Sequence, residues 1–181
     1  MAANSGYCGQ MTMSSGQKPA RGEKARLFLI RMAASGFFIS YLPAAILKGR
    51  KCTGAGLLGS ILAFLLIFLL PASAAGQIVF LAAFILFSIW IADRAAYEIH
   101  DDPRIVIDEI AGFWTAALLL PREPIPLLAA FVLFRTFDTL KPFGIKKIEG
   151  LEGGKGIVLD DIASGLVSNL IVQAALLVFS K

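Results

Sequence analysis

Two uncharged apolar runs lie almost end to end in this chain, residues 57–75 (LLGSILAFLLIFLLPASAA) and 77–92 (QIVFLAAFILFSIWIA). Each approaches the roughly 20 residues that a helix needs to cross a bilayer core. Gly76 between them predicts a helical hairpin. In lipid every backbone N–H and C=O must be satisfied internally, which leaves helices or closed barrels.

The remaining segments follow from the same constraint. A second hairpin is expected from Ile105 to Thr139, turning at PREPIP, residues 121–126, where three prolines forbid a continuous helix. Ile162 to Phe179 carries no charge and predicts a final membrane helix. Residues 27–47 are interrupted by Arg31 and flanked by Arg26, Lys48, Arg50 and Lys51, which suits a re-entrant or interfacial segment better than a span. The expected fold class is therefore all-α, an integral membrane helical bundle. Composition agrees, with 57% hydrophobic and 17% charged residues against roughly 45–50% and 25% in soluble domains.

Its 181 residues suit one domain. Residues 1–26 are small, polar and basic, without the apolar core of a cleavable signal, and are expected to be a disordered tail before a membrane-embedded domain at 27–181. Cys8 and Cys52 lack CxxC spacing or a Cys/His cluster, so neither a disulfide framework nor a zinc site is implied. The net charge of +4 arises from residues in the tail and between apolar runs. No basic stripe marks a nucleic-acid partner.

If KGRK at 48–51 lies on one side of the membrane, each hairpin returns the chain to that side. HDDPRIVIDE, FRTFDTLKP and GGKGIVLDD then meet at one face. From Lys48 onward that side carries most of the Lys and Arg, leaving Arg122 and Lys181 on the other, so it is predicted to be cytoplasmic.

These clusters carry the chemistry. Asp108 and Glu109 adjoin within an apolar setting, where ionisable groups are costly and default to function; Gly112, one turn later, permits close helix approach. Arg135, Asp138 and Lys141 recur every third residue and share a helix face, and Pro142 ends that helix. Arg supplies a planar fork and Lys a mobile point charge for a phosphate. Gly153, Gly154 and Gly156 precede Asp160 and Asp161, which are expected to open the last helix. Five carboxylates against two cations would repel a phosphate unless a divalent cation intervened, and oxygen-only ligands favour magnesium. His100, beside Asp101 and Asp102, is the only histidine and reads as peripheral or exposed. Trp90 and Trp114 suit an interfacial belt.

IVIDEIAG at 105–112, FRTFDTLKPFGI at 134–145 and GGKGIVLDDIASG at 153–165 resemble, in order and spacing, the motifs of the phosphatidylglycerophosphatase A family. The likeness covers roughly residues 33–179. Two departures stand out. Ser164 intervenes before Gly165 in the last motif, shifting that glycine by one helical position. The family's early glycine- and proline-rich segment survives only as Gly36, Leu42, Pro43 and GLLGS at 56–60.

The resemblance implies magnesium-dependent hydrolysis of phosphatidylglycerophosphate to phosphatidylglycerol at the cytoplasmic face of a bacterial inner membrane, with a bilayer phospholipid as partner. It carries site roles to Asp108, Glu109, Arg135, Asp138, Lys141, Asp160 and Asp161, and less securely to Asp101 or Asp102. We divide these into metal ligands (Asp108, Asp160, Asp161), phosphate contacts (Arg135, Lys141, with Gly153, Gly154 and Gly156 lining the substrate) and groups orienting water (Glu109 or Asp138). Direct aspartyl attack is the other route.

Other readings are weaker. A phosphatidyltransferase acting on a nucleotide-linked lipid would show a spaced DG-x-x-AR signature. A transporter would hold its carboxylates near the bilayer midplane on broken helices. A cysteine-phosphatase loop would need Arg where Cys52 is followed by Leu58, and a histidine mechanism has only His100 to use.

Overall fold

The computed structural model describes residues 21–41, 54–99, 105–142 and 144–179; its described residues form helices and turns with no strand. The helices are α1 (Arg21–Ala34), α2 (Ala55–Leu65), α3 (Ala74–Ile99), α4 (Ile107–Ala116), α5 (Pro124–Leu140), α6 (Ile145–Glu149) and α7 (Gly154–Phe179). The all-α class is as expected. Cys8, Cys52, Pro43, the KGRK segment at 48–51, His100, Asp101 and Asp102 lie outside the described residues. So do the first twenty residues of the expected tail; its last six, 21–26, are helical, as the first turns of α1.

The first apolar hairpin differs from expectation. Its first arm is not one helix to residue 75: α2 ends at Leu65, a 3-10 turn occupies Ile67–Leu69, and Leu70 is extended. Pro71 explains the break, because a residue preceding proline is driven out of the helical region. The turn then falls at 70–73. Ser73 starts α3 by accepting a hydrogen bond from the Gly76 N–H at 3.2 Å, which satisfies one free donor of the first turn. Gly76 thus belongs to α3. The second hairpin turns between Ala116 and Pro124, with Leu119 left-handed and Pro124 at the first helical position, where its missing N–H costs nothing.

α4 is the centre of the bundle. It packs against α2, α3, α5 and α7, its pairing with α7 being the most extensive; α2 packs mainly on α4, whereas α3 packs most on α7 and next on α4. Every residue of α4 from Ile110 to Ala116 is buried. Phe113, fully buried, has the rings of Phe64, Phe131 and Phe134 within 5.7 to 6.4 Å. Burying such a side chain stabilises the fold by about 1.5–3 kcal/mol. A Cβ on Gly165 of α7 would stand 2.3 Å from the Gly112 carbonyl oxygen, so glycine at 165 is what lets α4 and α7 meet backbone to backbone. Ser164, the residue inserted before it, turns its hydroxyl back to the Asp160 carbonyl at 3.0 Å and is fully buried.

Polar side chains seal the far end. Asn169 donates from Nδ2 to the Ala116 and Leu118 carbonyls at 2.9 and 2.8 Å. These are the orphan acceptors of a helix C-terminus. Arg122 donates to the Leu70 and Pro71 carbonyls, and Gln77 accepts from the Leu119 N–H at 3.0 Å. Trp114 donates from Nε1 to the Ala63 carbonyl at 3.0 Å, so it is a buried strap between α4 and α2, not a belt residue.

α3, over Ala74–Ala96, and α7 are each long and apolar enough to cross a membrane, with mean hydropathies of 2.2 and 2.0. Their outer faces leave Val79, Leu86, Leu170 and Leu177 about seven-tenths exposed. α2 and α4, of 11 and 10 residues, fall well short of the expected spans.

Candidate active site

The acidic site forms at one end of the bundle, where the first turn of α4, the last turns of α5 and the early turns of α7 come together beside the start of α2. Asp108 and Glu109 open α4. Asp138 and Arg135 lie near the end of α5, and Lys141 caps it in the left-handed region (φ 45°) immediately before Pro142. A cavity of about 230 Å³ is lined by Asp108, Glu109, Asp138, Lys141, Glu149, Ile157, Asp160 and Asp161. The three sequence clusters, insofar as their residues are described, do meet at one end.

Asp160 and Asp161 do not open the last helix. α7 begins at Gly154 and places them nearly two turns inside it. The earlier start has a physical cause on another helix: Asp93 Oδ1 of α3 accepts the Gly154 N–H at 3.1 Å, and Gly153 before it adopts φ +69°. Sequence reading missed Asp93. A lone acid at the end of an apolar run gives no signal of the helix it caps. With their cap role removed, Asp160 and Asp161 are buried carboxylates, each 4% exposed.

Carboxylate oxygens of Asp108, Glu109 and Asp161 lie within 4.8 Å of one another and could hold a metal ion. Asp108 Oδ1, Glu109 Oε2, Asp160 Oδ1 and Asp161 Oδ2 are buried with no hydrogen-bond partner. Buried charge without a partner is strongly unfavourable, so this donor set fits a cation. The converging trio differs from the expected metal set by including Glu109 and leaving Asp160 aside. Asp160 instead receives Lys141 Nζ at 2.5 Å, and Glu149 approaches the same ammonium at 3.3 Å. Burial alone would lower the Lys141 pKa, but the hydrogen bonds and charges of Asp160 and Glu149 outweigh it and hold it up to about 12.

Arg135 pairs with Asp138 at 3.0 Å and donates to Ser60 Oγ at 3.2 Å. Ser60 is fully buried and itself donates to the Gly56 carbonyl at 3.0 Å. A Cβ on Gly56 would stand 2.2 Å from Glu109 Oε1 and 3.2 Å from Arg135 Nη2. The GLLGS segment thus walls the site through Gly56 and Ser60, a contribution the sequence reading left unassigned. Gly153, Gly154 and Gly156 do not line the acidic cavity. Gly154 packs against the α3 backbone and Gly156 against the carbonyls of Glu149 and Leu151.

Comparison with known proteins gives this arrangement its setting. A family model described as phosphatidylglycerophosphatase A matches residues 32–176. The chain belongs to the phosphatidylglycerophosphatase A family. It is 35% identical over 156 residues, 82% of this chain and 94% of the relative, to a Bacteroides thetaiotaomicron protein provisionally named a phosphatidylinositol-3-phosphatase. It is 34% identical to the phosphatidylglycerophosphatase A of Haemophilus influenzae over 126 residues, 67% of this chain and 76% of that one. With the Escherichia coli phosphatidylglycerophosphatase A it shares 40% identity over 72 residues, 39% and 42% of the two chains. No solved structure matches. Membership of the phosphatidylglycerophosphatase A family makes the chain a phosphatase, and the acid-lined cavity is the candidate place for its chemistry.

Proposed function

We propose that this protein removes the terminal phosphate of phosphatidylglycerophosphate, with magnesium, at the cytoplasmic face of a bacterial inner membrane. The observation that carries the reading is the convergence of Asp108, Glu109 and Asp161, with unpartnered buried oxygens, beside Arg135 and Lys141. A phosphomonoester dianion needs both cation types, and six carboxylates around the cavity need a further positive charge before it can enter.

Asp108, Glu109 and Asp161 would hold the magnesium ion, and when bound it withdraws electron density from the phosphoryl oxygens and offsets their charge. Arg135 and Lys141 would exchange their carboxylate partners in part for phosphate oxygens, the Arg as a planar fork and the Lys as a point charge. Asp138, already hydrogen-bonded to Arg135, orients the attacking water and accepts its proton. Water adds to phosphorus, the phosphorus–oxygen ester bond breaks, and the glycerol oxygen leaves as an alcohol protonated from solvent, while Asp138 returns the proton it took to solvent. Gly153, Gly154 and Gly156 shape the approach by fixing the start of α7.

The membrane setting rests on the two long apolar helices, the exposed apolar faces of α3 and α7, and the Lys/Arg bias of the acidic end. Phosphate release from purified protein in vesicles of phosphatidylglycerophosphate tests the reaction. Release should stop with excess chelator and return with magnesium. Undiminished turnover in chelator would remove the metal from the mechanism. Similarity to the Bacteroides relative favours one second reading, hydrolysis of an inositol lipid 3-phosphate. Parallel vesicles of that lipid decide it, the preferred headgroup being the one with the higher kcat/KM.

A further inference from the structure

On the flank of the acidic site, α2 and α5 leave a groove of about 170 Å³ between them, lined by Ile61, Phe64, Leu128 and Phe131, with no polar group on its walls. Leu128 and Ile61 stand open at its mouth, 52% and 38% exposed. Phe64 and Phe131 close its floor edge to face, with ring centroids 6.0 Å apart. At its head is the Arg135–Ser60 hydrogen bond that joins the same two helices. Leu128, Phe131 and Arg135 share one face of α5, at spacings of three and four residues. Arg135 and Leu128 are thus separated by about 10 Å along the axis. Ser60 adjoins Ile61 on α2.

We infer that this groove is the acyl-chain subsite of the enzyme, taking the first methylenes of the phospholipid whose phosphate reaches Arg135. The inference rests on the lipid-phosphatase reading and extends it to the substrate's apolar part. Two features select an acyl chain over other occupants. At about 170 Å³ the groove holds less than one turn of a helix about 10 Å across, and it runs from a guanidinium suited to phosphate into a wholly apolar cleft, the same polarity order as a phospholipid from headgroup to tail. α5 runs toward the acidic end, so Leu128 and Phe131 lie on the bilayer-core side of Arg135 when that end is at the membrane surface.

Two measurements test it. In the first, the full chain is reconstituted in vesicles containing phosphatidylglycerol with a diazirine in its acyl chain, irradiated, and mapped by peptide. Adducts should concentrate at 61–64 and 128–131 above equally apolar exposed positions such as Leu177 and Phe179, and should fall in Leu128→Trp and Ile61→Trp, whose indoles fill the groove. Labelling spread evenly over the exposed apolar residues would overturn the subsite. So would disulfide formation between chains through Ile61→Cys, which would put a second copy on the groove. In the second, the ratio of kcat/KM for dioleoyl to diacetyl phosphatidylglycerophosphate, whose acetyl groups have no methylene to place in the groove, should fall about tenfold in folded Leu128→Trp, the affinity of roughly two excluded methylenes. An unchanged ratio would also overturn it. If the unaltered protein hydrolyses neither lipid, the substrate reading fails, while the labelling pattern still decides the groove.

Discussion

Asp161 brings the separate properties of the site together in one side chain: it is buried, it shares a cluster with Asp108 and Glu109, and one of its oxygens has no partner. Asn at this position keeps the size and removes the charge. Asp161→Asn should therefore lower kcat by about 100-fold or more while the protein remains folded, as for loss of a central electrostatic group. A folded variant with near-normal turnover would reduce Asp161 to a packing residue. Gly56 makes a complementary case, because its missing side chain leaves the space that Glu109 occupies. Gly56→Ala should raise helix propensity in α2 yet push the Glu109 carboxylate aside. Its activity should fall about tenfold or more, by the cost of misplacing a reacting group. Magnesium affinity measured by calorimetry should weaken in parallel, which a change confined to packing elsewhere would not cause.

Among the elements, what the sequence revealed and what it concealed divide along local and non-local causes. The apolar runs announced α3 and α7, the prolines announced the turn before α5, and Pro142 announced the end of α5, because each acts within a few residues of itself. The start of α7 was not legible, since the deciding group is Asp93, some sixty residues earlier. The candidate site residues Asp108, Glu109, Asp138, Asp160, Asp161, Arg135 and Lys141 were named from pattern and resemblance, and they lie at one end of the bundle. Which acids converge was hidden: Lys141 draws Asp160 away, and Gly56 admits Glu109. Full-length spans were also expected where α2 and α4 turned out short, because hydropathy registers apolar content and not where a helix breaks, as the first arm does before Pro71. Asn169 ties α7 to the end of α4 through two hydrogen bonds, one buried and one partly buried. Asn169→Ala should cost about 2 kcal/mol, near the sum of two such bonds. A denaturant series in detergent micelles would measure it.

For the whole molecule the decisive question is sidedness. Arg122 holds the Leu70 and Pro71 carbonyls, so the exposed neighbour Glu123 is the better place for a reporter. With the site facing inward, a membrane-impermeant maleimide applied to intact spheroplasts should label Glu123→Cys in a background lacking Cys8 and Cys52. A cysteine at exposed Lys155, beside the acidic end, should react only after permeabilisation. The reverse pattern would place the acidic end outside and end the cytoplasmic reading.

The pairing of α4 with α7 also sets a timetable. α4 carries Asp108 and Glu109 and is made before α5, α6 and α7, whereas Asp161 arrives on the last of the described helices to leave the ribosome. Until then the cluster lacks a member and the backbone contact at Gly165 has no second side. During synthesis the nascent chain is thus a scaffold whose acidic cluster stays incomplete until the last of the described helices is made.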